Sequence, residues 1–361
     1  MNAAPAPRAA AEVRLLVVDG PSGTLAERDA RDLPELLAPG DLVVVNDAAT
    51  LPATLLARDA RGAFVELRLV SAVDPGAGPV RFRAALLGEG DHRVRTEDRP
   101  PPPRVAPGDV LRIGEDLEAR IVSVAPFSER LVDLALVTTG SDDPAAVWAA
   151  LYRLGKPVQY AHVPRPLALW DVQNAWAGRP WAVEMPSAGR AIRTATLLAL
   201  RRRGVDIAWV THAAGLSATG DPAIDARLPF PERFDVPEAT ARAIRRTKAR
   251  GGRVVAVGTS VARALESAAR RSGAGRLRGA SGTTDLLLGP ETALAVVDGL
   301  LTGVHERSTT HFLLLGAFAE RALLESALVA AEEAGFLGHE LGDAWLVWRD
   351  RRRAASATFA A

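Results

Sequence analysis

Two parts of the chain carry different hydrophobic patterns, and this contrast constrains the fold more than any other feature. After residue 143, apolar runs of strand length alternate with amphipathic stretches of helical length. Strands that alternate with helices predict a mostly parallel sheet covered on both faces. From about residue 53 to 140, short strand-length runs instead follow one another across Pro- and Gly-rich turns. Several short strands at this spacing predict a small β-barrel.

The two patterns together predict an α/β protein, a three-layer α/β sandwich with an inserted small β-barrel domain. We expect a disordered Ala- and Pro-rich tail over 1–12, the sandwich over 13–52 and 143–361, and the barrel over 53–142. Barrel strands are separated by turns at 74–79 and 106–109 and by an extended loop at 99–104. Predicted sandwich strands are 13–19, 205–212, 253–259, 283–289, 292–301 and 343–348, and predicted helices are 143–155, 194–204, 237–252, 260–273 and 309–335. The stretch 32–47 is predicted to form a short helix, a turn and a second strand.

Composition excludes several kinds of chemistry. The chain has no cysteine, so disulfides, thiolate nucleophiles and cysteine-ligated metals are excluded. No apolar run approaches membrane-spanning length and the start lacks the apolar core of a secretory signal, which predicts a cytoplasmic protein without a membrane partner. A net charge of +1 gives no electrostatic argument for nucleic acid. The arginine-rich stretches 201–203 and 242–253 fit either phosphate contacts or solvated helix faces.

A small, hydroxyl-rich turn is the first candidate for a ligand site. In GGRVVAVGTSVARALES (251–267), Gly258, Thr259 and Ser260 lie between a strand and an amphipathic helix. The turn is either an ordinary strand-to-helix connection or a ligand site. The second reading rests on the helix N–H groups, which favour anions and polar ligands at the carboxyl end of a parallel strand.

Other polar residues follow or precede predicted strands. Thr211 and His212 end one strand and Gly215 lies in the loop after it, so they can share a crevice with the turn at 258–260. Asp285 stands at the start of its predicted strand, the wrong end for that crevice unless the strand runs antiparallel. Its other interpretation is a cap of a helix or turn.

The six histidines differ in what their positions indicate. His212 and His305 both follow apolar strands and are the better candidates for a general base. His311 is expected to make a core or partner contact, and the remaining three receive no role. No pair of histidines has metal-ligand spacing in the sequence, so no metal site is expected.

Several segments together resemble one family, the S-adenosylmethionine:tRNA ribosyltransferase-isomerases of queuosine biosynthesis. They occur in the family's order across almost the whole chain. These segments are LPELLAPGDLVVVNDAATLPATLL (33–56), HVPRPL (162–167), PSAG (186–189), RRRGVDIAWVTHAAG (201–215), FDVPEATARAIRRTKARGGRVVAVGTSVARALES (234–267), SGTTDLLLGP (281–290), VVDGLLTGVHERST (296–309) and LGDAWLV (341–347).

The resemblance implies a fold and a reaction. The fold is a β-barrel inserted into an α/β sandwich. The reaction transfers and isomerises the ribosyl part of S-adenosylmethionine onto the aminomethyl group of a deazaguanine base in a tRNA anticodon, releasing adenine and methionine. It implies S-adenosylmethionine as co-substrate, tRNA as partner, and no metal or other cofactor.

The resemblance also implies site residues, with departures. The turn at 258–260 would hold part of S-adenosylmethionine, with Arg263 and Glu266 pairing with its charged groups. His305, Glu232 and Asp285 carry over as catalytic candidates, while His212 is a candidate because of its position after an apolar strand. The family's other histidines do not carry over: Ala191 replaces one, the histidine before Ala213 is displaced by one residue, and two are absent from 227–232.

These departures leave three hypotheses open. The first is the family reaction on tRNA. The second is a divergent paralogue that uses S-adenosylmethionine with a small-molecule acceptor. The third is a non-catalytic protein that binds S-adenosylmethionine.

Overall fold

The computed structural model describes residues 1–9, 12–72, 80–141, 143–273 and 275–350. The predicted turn at 74–79 lies outside the described residues. Among the helices of these ranges, none is long and apolar enough to cross a membrane.

The strands and helices have the following bounds in chain order. The strands are β1 (Arg14–Asp19), β2 (Thr24–Asp29), β3 (Leu42–Asn46), β4 (Ala48–Thr50), β5 (Thr54–Arg58), β6 (Phe64–Ala72), β7 (Val80–Leu87), β8 (Val110–Ile113), β9 (Leu117–Val124), β10 (Leu131–Thr138), β11 (Arg179–Ala182), β12 (Asp206–His212), β13 (Glu232–Val236), β14 (Val254–Val257), β15 (Ala280–Thr284), β16 (Gly299–Gly303) and β17 (Ala344–Trp348). The helices are α1 (Leu33–Leu36), α2 (Pro144–Leu154), α3 (Thr194–Arg202), α4 (Pro222–Asp225), α5 (Glu238–Ala249), α6 (Thr259–Ser272), α7 (Thr310–Leu315) and α8 (Arg321–Glu333).

A nine-stranded sheet forms the centre of the sandwich, in the order β15-β13-β12-β3-β14-β16-β17-β1-β2. Strands β12, β3, β14 and β16 are parallel neighbours, so their carboxyl ends meet at one edge of the sheet. We call this the carboxyl edge. The central strand β3 reads LVVVN and is buried along its length, as expected for a strand covered on both faces.

Helices cover both faces of this sheet, which confirms the three layers. On one face, Ile244 of α5, Leu265 of α6 and Leu328 of α8 join a large apolar core. On the other face, Leu33 of α1 and Leu200 of α3 join a second core. A small two-stranded sheet of β4 and β11 lies beside the main one.

The inserted barrel is closed, in the order β10-β7-β6-β5-β8-β9. Its strands run from Thr54 to Thr138, inside the stretch predicted for the insertion. Every neighbouring pair in the barrel is antiparallel. After the barrel, α2 begins where predicted, because the side chain of Asp143 accepts a hydrogen bond from the N–H of Ala145 and Pro144 takes the first helical position.

The expectation of a mostly parallel sheet was wrong. Among its eight neighbouring pairs in the described residues, β1–β2, β12–β13, β13–β15 and β16–β17 are antiparallel. The short strands β2 and β13 gave no apolar run in the sequence. Because β15 is antiparallel to β13, and β13 to β12, β15 runs in the same direction as β12.

Two strands are shorter than predicted, because side chains form hydrogen bonds with backbone groups that a neighbouring strand would otherwise bond. In 283–289 the strand ends at Thr284, since the N–H of Leu286 donates to Thr284 Oγ1 and its carbonyl accepts from Arg263 Nε. In 292–301 the strand begins only at Gly299, since preceding N–H groups donate to Glu266. Buried backbone N–H groups need a hydrogen-bond acceptor, and the carboxylate of Glu266 takes the place of the carbonyl groups of a neighbouring strand.

The tail predicted to be disordered instead packs on the C-terminal part of the sandwich. Ala3 forms a β-bridge with Gly338, and the N–H of Ala4 donates to the carbonyl of Gly338 at 3.3 Å. Ala4 is fully buried in a small core with Val163 and Leu341. The small size of alanine suits this close packing, so composition alone misled the prediction for the described residues 1–9.

Candidate active site

The carboxyl edge brings together residues that are far apart in the sequence. His212 ends β12, Gly258 follows β14, and His305 follows the end of β16. Glu232 begins β13, and its register places it opposite Thr284, the last residue of β15. The strand ends expected to share a crevice therefore meet at this edge, together with strands that the sequence did not predict.

Asp285 lies at this edge for a reason the sequence did not give. It follows the end of β15 rather than starting a strand, and β15 runs in the same direction as β12. The prediction that Asp285 starts a strand was wrong. Its side chain is exposed and has no hydrogen-bond partner among the described residues.

The turn at 258–260 has a backbone conformation that favours glycine at its first residue. Gly258 has φ +97° and ψ 150°, which an L side chain rarely adopts, and it directly precedes α6. Its N–H donates to the carbonyl of Leu301 at 2.8 Å, which ties the turn to β16. No side chain caps the start of α6. Free N–H groups at a helix start favour anions.

A buried cluster lies beside the turn. Arg263 of α6 donates from Nη1 to Glu232 Oε2, and the N–H of Gly215 donates to Glu232 Oε1 at 2.7 Å. His212 Nε2 lies 3.5 Å from Glu232 Oε2. His212 is 0% exposed, and neither of its ring nitrogens has a hydrogen-bond partner in the described chain. The three side chains of His212, Glu232 and Arg263 therefore form one packed unit.

Burial sets the charge of His212. It lowers the pKa of His212 to about 4, against the opposing effect of the Glu232 carboxylate. The ring is therefore uncharged at neutral pH, and its approach to Glu232 is a polar contact rather than an ion pair. His212 has no exposed surface in this structure, and its catalytic role stays a prediction.

Glu266 has a different set of partners from the one expected. Its carboxylate accepts hydrogen bonds from the N–H groups of Ala295, Val296 and Val297 at 2.8, 2.9 and 3.0 Å. The residue is 3% exposed. These hydrogen bonds fix the backbone of the segment before β16. The contact of Glu266 with S-adenosylmethionine stays a prediction.

Thr211 and Gly215 also donate hydrogen bonds to carboxylates within the protein. Thr211 Oγ1 donates to Asp47 Oδ1 at 2.5 Å, while the N–H of Gly215 goes to Glu232. Their predicted contacts with S-adenosylmethionine are untested.

Asn46 is a site residue that the sequence analysis missed. Its side-chain amide donates to the carbonyl of His212 at 2.9 Å, and its oxygen accepts from the N–H of His212 at 2.9 Å. Its Nδ2 also lies 3.5 Å from Ser260 Oγ. Asn46 therefore joins the ends of β3 and β12 to the turn at 258–260. The available signal was an amide at the end of the apolar run VVV, inside one of the matched segments.

His305 is the most accessible predicted base. It is half-buried, shares a hydrogen bond of 2.7 Å with Thr302 Oγ1 through Nε2, and stacks on His311 with ring centroids 4.9 Å apart. Burial, followed by the neighbouring His311 and His339, holds the pKa of His305 well below its usual value. The ring is therefore uncharged at neutral pH, with one nitrogen that carries a proton and one that can accept a proton.

A cavity opens near the same edge, between the sheet and the barrel. Tyr160, His162, Glu184 and Glu340 supply polar groups to its otherwise mainly apolar lining. Tyr160 Oη donates to Glu184 Oε1, which also accepts from the N–H and hydroxyl of Ser217 at 3.0 and 3.1 Å. Burial, with a smaller contribution from Glu340, raises the pKa of Glu184 to about 7. Sequence reasoning assigned nothing to these residues.

The positions at which the family's histidines are missing now serve packing. Ala191 is buried in the second core of the sandwich. In 227–232, Arg227 lies over the ring of Phe127 at 4.2 Å, and Phe230 packs against the barrel core under Arg83 at 5.1 Å. This segment joins the barrel to the sheet.

The two predicted basic stretches lie away from the site. The stretch 201–203 ends just before β12 begins, and the stretch 242–253 ends just before β14 begins. Both stretches therefore end at the edge opposite the carboxyl edge. Arg253 is also paired with Asp41 at 2.7 Å. Of the two interpretations that the sequence left open, this position favours solvated helix faces, because the helices that carry these arginines lead into the starts of the parallel strands.

Comparison with known proteins agrees with this architecture. The sequence pattern of the family described as "Queuosine biosynthesis protein" matches residues 1–347. The S-adenosylmethionine:tRNA ribosyltransferase-isomerase of Thermus thermophilus is 33% identical over 348 residues, covering 94% of this chain and 93% of the relative. The enzyme of the same name from Sorangium cellulosum is 36% identical over 352 residues, covering 92% of this chain and 91% of the relative.

A solved structure shares the fold. The crystal structure of an S-adenosylmethionine tRNA ribosyltransferase from Thermotoga maritima matches with a TM-score of 0.51 and 24% identity, covering 95% of each chain. The family match over nearly the whole length and the curated relatives above 30% identity agree with each other. This chain therefore belongs to the queuosine biosynthesis protein family.

Proposed function

We propose that this protein transfers and isomerises the ribosyl part of S-adenosylmethionine onto a deazaguanine base of tRNA. The observation that carries the proposal is the carboxyl edge, where the turn at 258–260 and the accessible imidazole of His305 follow neighbouring parallel strands. Family membership supplies the reaction class. The reaction as proposed uses S-adenosylmethionine as co-substrate and no redox cofactor, and tRNA as acceptor implies action in the cytoplasm.

The turn at 258–260 and the first turn of α6 bind S-adenosylmethionine in this proposal. The free N–H groups and the positive helix end suit a carboxylate, and the hydroxyls of Thr259 and Ser260 are partly accessible. Arg263 and Glu266 act as positioning residues, because both are bonded inside the protein.

His305 is the proton acceptor in this proposal. The sulfonium of S-adenosylmethionine withdraws electrons from the adjacent C5′–H bond, so a neutral imidazole can take that proton and start the rearrangement. In this proposal His305 Nε2–H donates to Thr302 Oγ1 at 2.7 Å, which orients the ring and leaves Nδ1 unprotonated to accept the proton from C5′. Asp285, exposed at the same edge, is the second acid–base group within reach of a bound ligand. The adenine leaving group takes up a proton as its bond to C1′ breaks.

A basic and aromatic surface next to the site supports tRNA as acceptor. Arg179 and Arg233 are exposed near Trp181, with their guanidinium carbons 5.4 and 3.8 Å from its ring centroid, and Arg179 is paired with Asp235 at 2.6 Å. Arg233 directly follows Glu232 of the buried cluster. Arginine contacts phosphate, and both the indole and a guanidinium plane can stack on an unpaired base.

The test is incubation with S-adenosylmethionine and tRNA bearing the aminomethyl-deazaguanine, followed by mass spectrometry of the nucleosides. We expect an epoxycyclopentane-bearing nucleoside with release of adenine and methionine. Release of adenine without a modified nucleoside contradicts the tRNA acceptor and favours a small-molecule acceptor. Release of neither product with any acceptor contradicts the enzymatic proposal and favours a binding protein.

A further inference from the structure

Three potential metal ligands meet at the carboxyl edge although they are distant in the sequence. One donor atom each of His162, His339 and Glu340 lies within 4.8 Å of the other two, and all three residues are half-buried. His162 Nε2 is 3.6 Å from Glu340 Oε2, and the two imidazole rings lie with centroids 4.7 Å apart. Spacing along the sequence could not reveal this group, which is why no metal was expected.

The donor set is specific in its chemistry. Two imidazoles and one carboxylate are a ligand set found for zinc, with a fourth position left for water. Hard cations such as magnesium prefer oxygen ligands instead. Zinc–ligand bonds of about 2.0–2.2 Å need donor atoms about 3.3–3.5 Å apart, so the three side chains must close by about 1 Å through rotation.

The surroundings hold the three side chains near one another. His339 has φ +63°, the one non-glycine residue with positive φ in the described chain. Glu306 Oε1 lies 3.5 Å from His339 Nε2. A carboxylate on one nitrogen of an imidazole fixes the tautomer that leaves the other nitrogen free to ligate. On the other side, the ring of Tyr160 stacks on His162 at 6.3 Å.

The group also faces open space that a fourth ligand could enter. His162 and Glu340 line the cavity between the sheet and the barrel. His339 and Glu340 line a second, smaller cavity beside Ala188, which lies next to Gly258. A metal held here would present its open position to the site region, close to the turn at 258–260.

We propose that His162, His339 and Glu340 bind a zinc-class divalent cation whose fourth position is open to water or a ligand. The first variant for testing this is His339→Asn, because asparagine tolerates positive φ and lacks the imidazole. The second is Glu340→Gln, which keeps the shape of the side chain and removes the charge. His92→Asn is the matched control, since His92 contacts the carbonyl of Pro164 outside the group.

The experiment uses the full chain after treatment with a chelator. Zn²⁺ is titrated by calorimetry, and Co²⁺ by its visible absorption, which reports tetrahedral geometry. We expect about one ion per chain and a loss of affinity of at least tenfold in His339→Asn and in Glu340→Gln, with unchanged binding in His92→Asn. The melting temperature of each metal-free variant shows that it is folded.

Two results overturn the proposal. One is the lack of saturable Zn²⁺ binding by the unmodified chain at micromolar metal. The other is equal affinity in the unmodified chain and in both folded variants, which assigns the metal to another site. Neither result depends on S-adenosylmethionine or tRNA, so the proposed function can stand or fall separately.

Discussion

The candidate site has a buried layer (His212, Glu232, Arg263 and Glu266) and a rim (Thr259, Ser260, Asp285 and His305). The two differ in how far their side chains are exposed and in what these side chains contact. In the buried layer the charged side chains are bonded to one another or to backbone groups. On the rim the side chains are half-buried or exposed. The difference teaches that resemblance to a catalytic motif does not make a residue accessible. We therefore expect the buried layer to set the shape of the site and the rim to carry the chemistry.

Breaking the buried ion pair should have the largest effect on stability. Arg263→Met leaves the Glu232 carboxylate buried without its guanidinium partner, which should cost about 3–5 kcal/mol of the free energy of unfolding. Urea unfolding measures this. The control is the double variant Arg263→Met with Glu232→Gln, which should lose less than the sum of the two single variants. A single-variant loss below about 1 kcal/mol would show that the pair does not hold the site.

Acid should act on the same layer through His212. Its pKa is about 4 in the folded protein, below the ordinary value of 6.5, so the unfolded chain binds the proton more readily between these pH values. The contribution of His212 to stability is therefore complete above pH 6.5 and is lost as the pH falls towards 4, a change on the order of 3 kcal/mol. Urea unfolding across this range should be steeper in pH for the unmodified protein than for His212→Asn. Equal slopes would contradict the burial of an uncharged imidazole.

The glycine before the rim, Gly258, should affect ligand binding in addition to stability. Gly258→Ala and Gly251→Ala both place a methyl group at positive φ, with φ +97° and +78°, and each should cost about 1–3 kcal/mol of stability. Only Gly258→Ala should also weaken S-adenosylmethionine binding, by at least tenfold in calorimetry, because Gly251 precedes β14 at the opposite edge. Equal affinities in the two variants would remove the turn at 258–260 from the binding site.

The arginines at the two edges should differ in their effect on tRNA. Arg233→Ala should weaken tRNA binding and lower the slope of log affinity against log salt by about 1, as expected for the loss of one phosphate contact. Arg202→Ala, at the end of α3, should leave both quantities unchanged. The opposite pattern would favour phosphate contacts by the arginine-rich stretches, one of the two interpretations that the sequence left open.

The sequence predicted the strands and helices of the sandwich layers well, because these elements depend on hydrophobic patterns within short segments. The apolar run of β14, the glycine at 258 and the amphipathic helix after it are all local signals, and the structure has each of them. The helix starting at Pro144 was equally predictable, because its capping residue Asp143 accepts a hydrogen bond from the N–H of Ala145, only two residues away.

What the sequence could not supply were pairings between distant groups. The role of Glu266 depends on N–H groups 29–31 residues away, and the contact of Asn46 with His212 spans 166 residues. Such contacts carry no periodicity. The same reason explains the missed strand β13 and the meeting of His162 with His339 and Glu340.

The central claim, that chemistry belongs to the rim, is tested most directly by replacing its histidine and following adenine release. His305→Gln keeps a polar side chain at the end of β16 but removes the imidazole, so single-turnover adenine release from S-adenosylmethionine with the tRNA acceptor should fall about a hundredfold or more. S-adenosylmethionine affinity and melting temperature should stay close to those of the unmodified protein. Adenine release within a fewfold of the unmodified rate, from a variant that binds normally, would contradict the account.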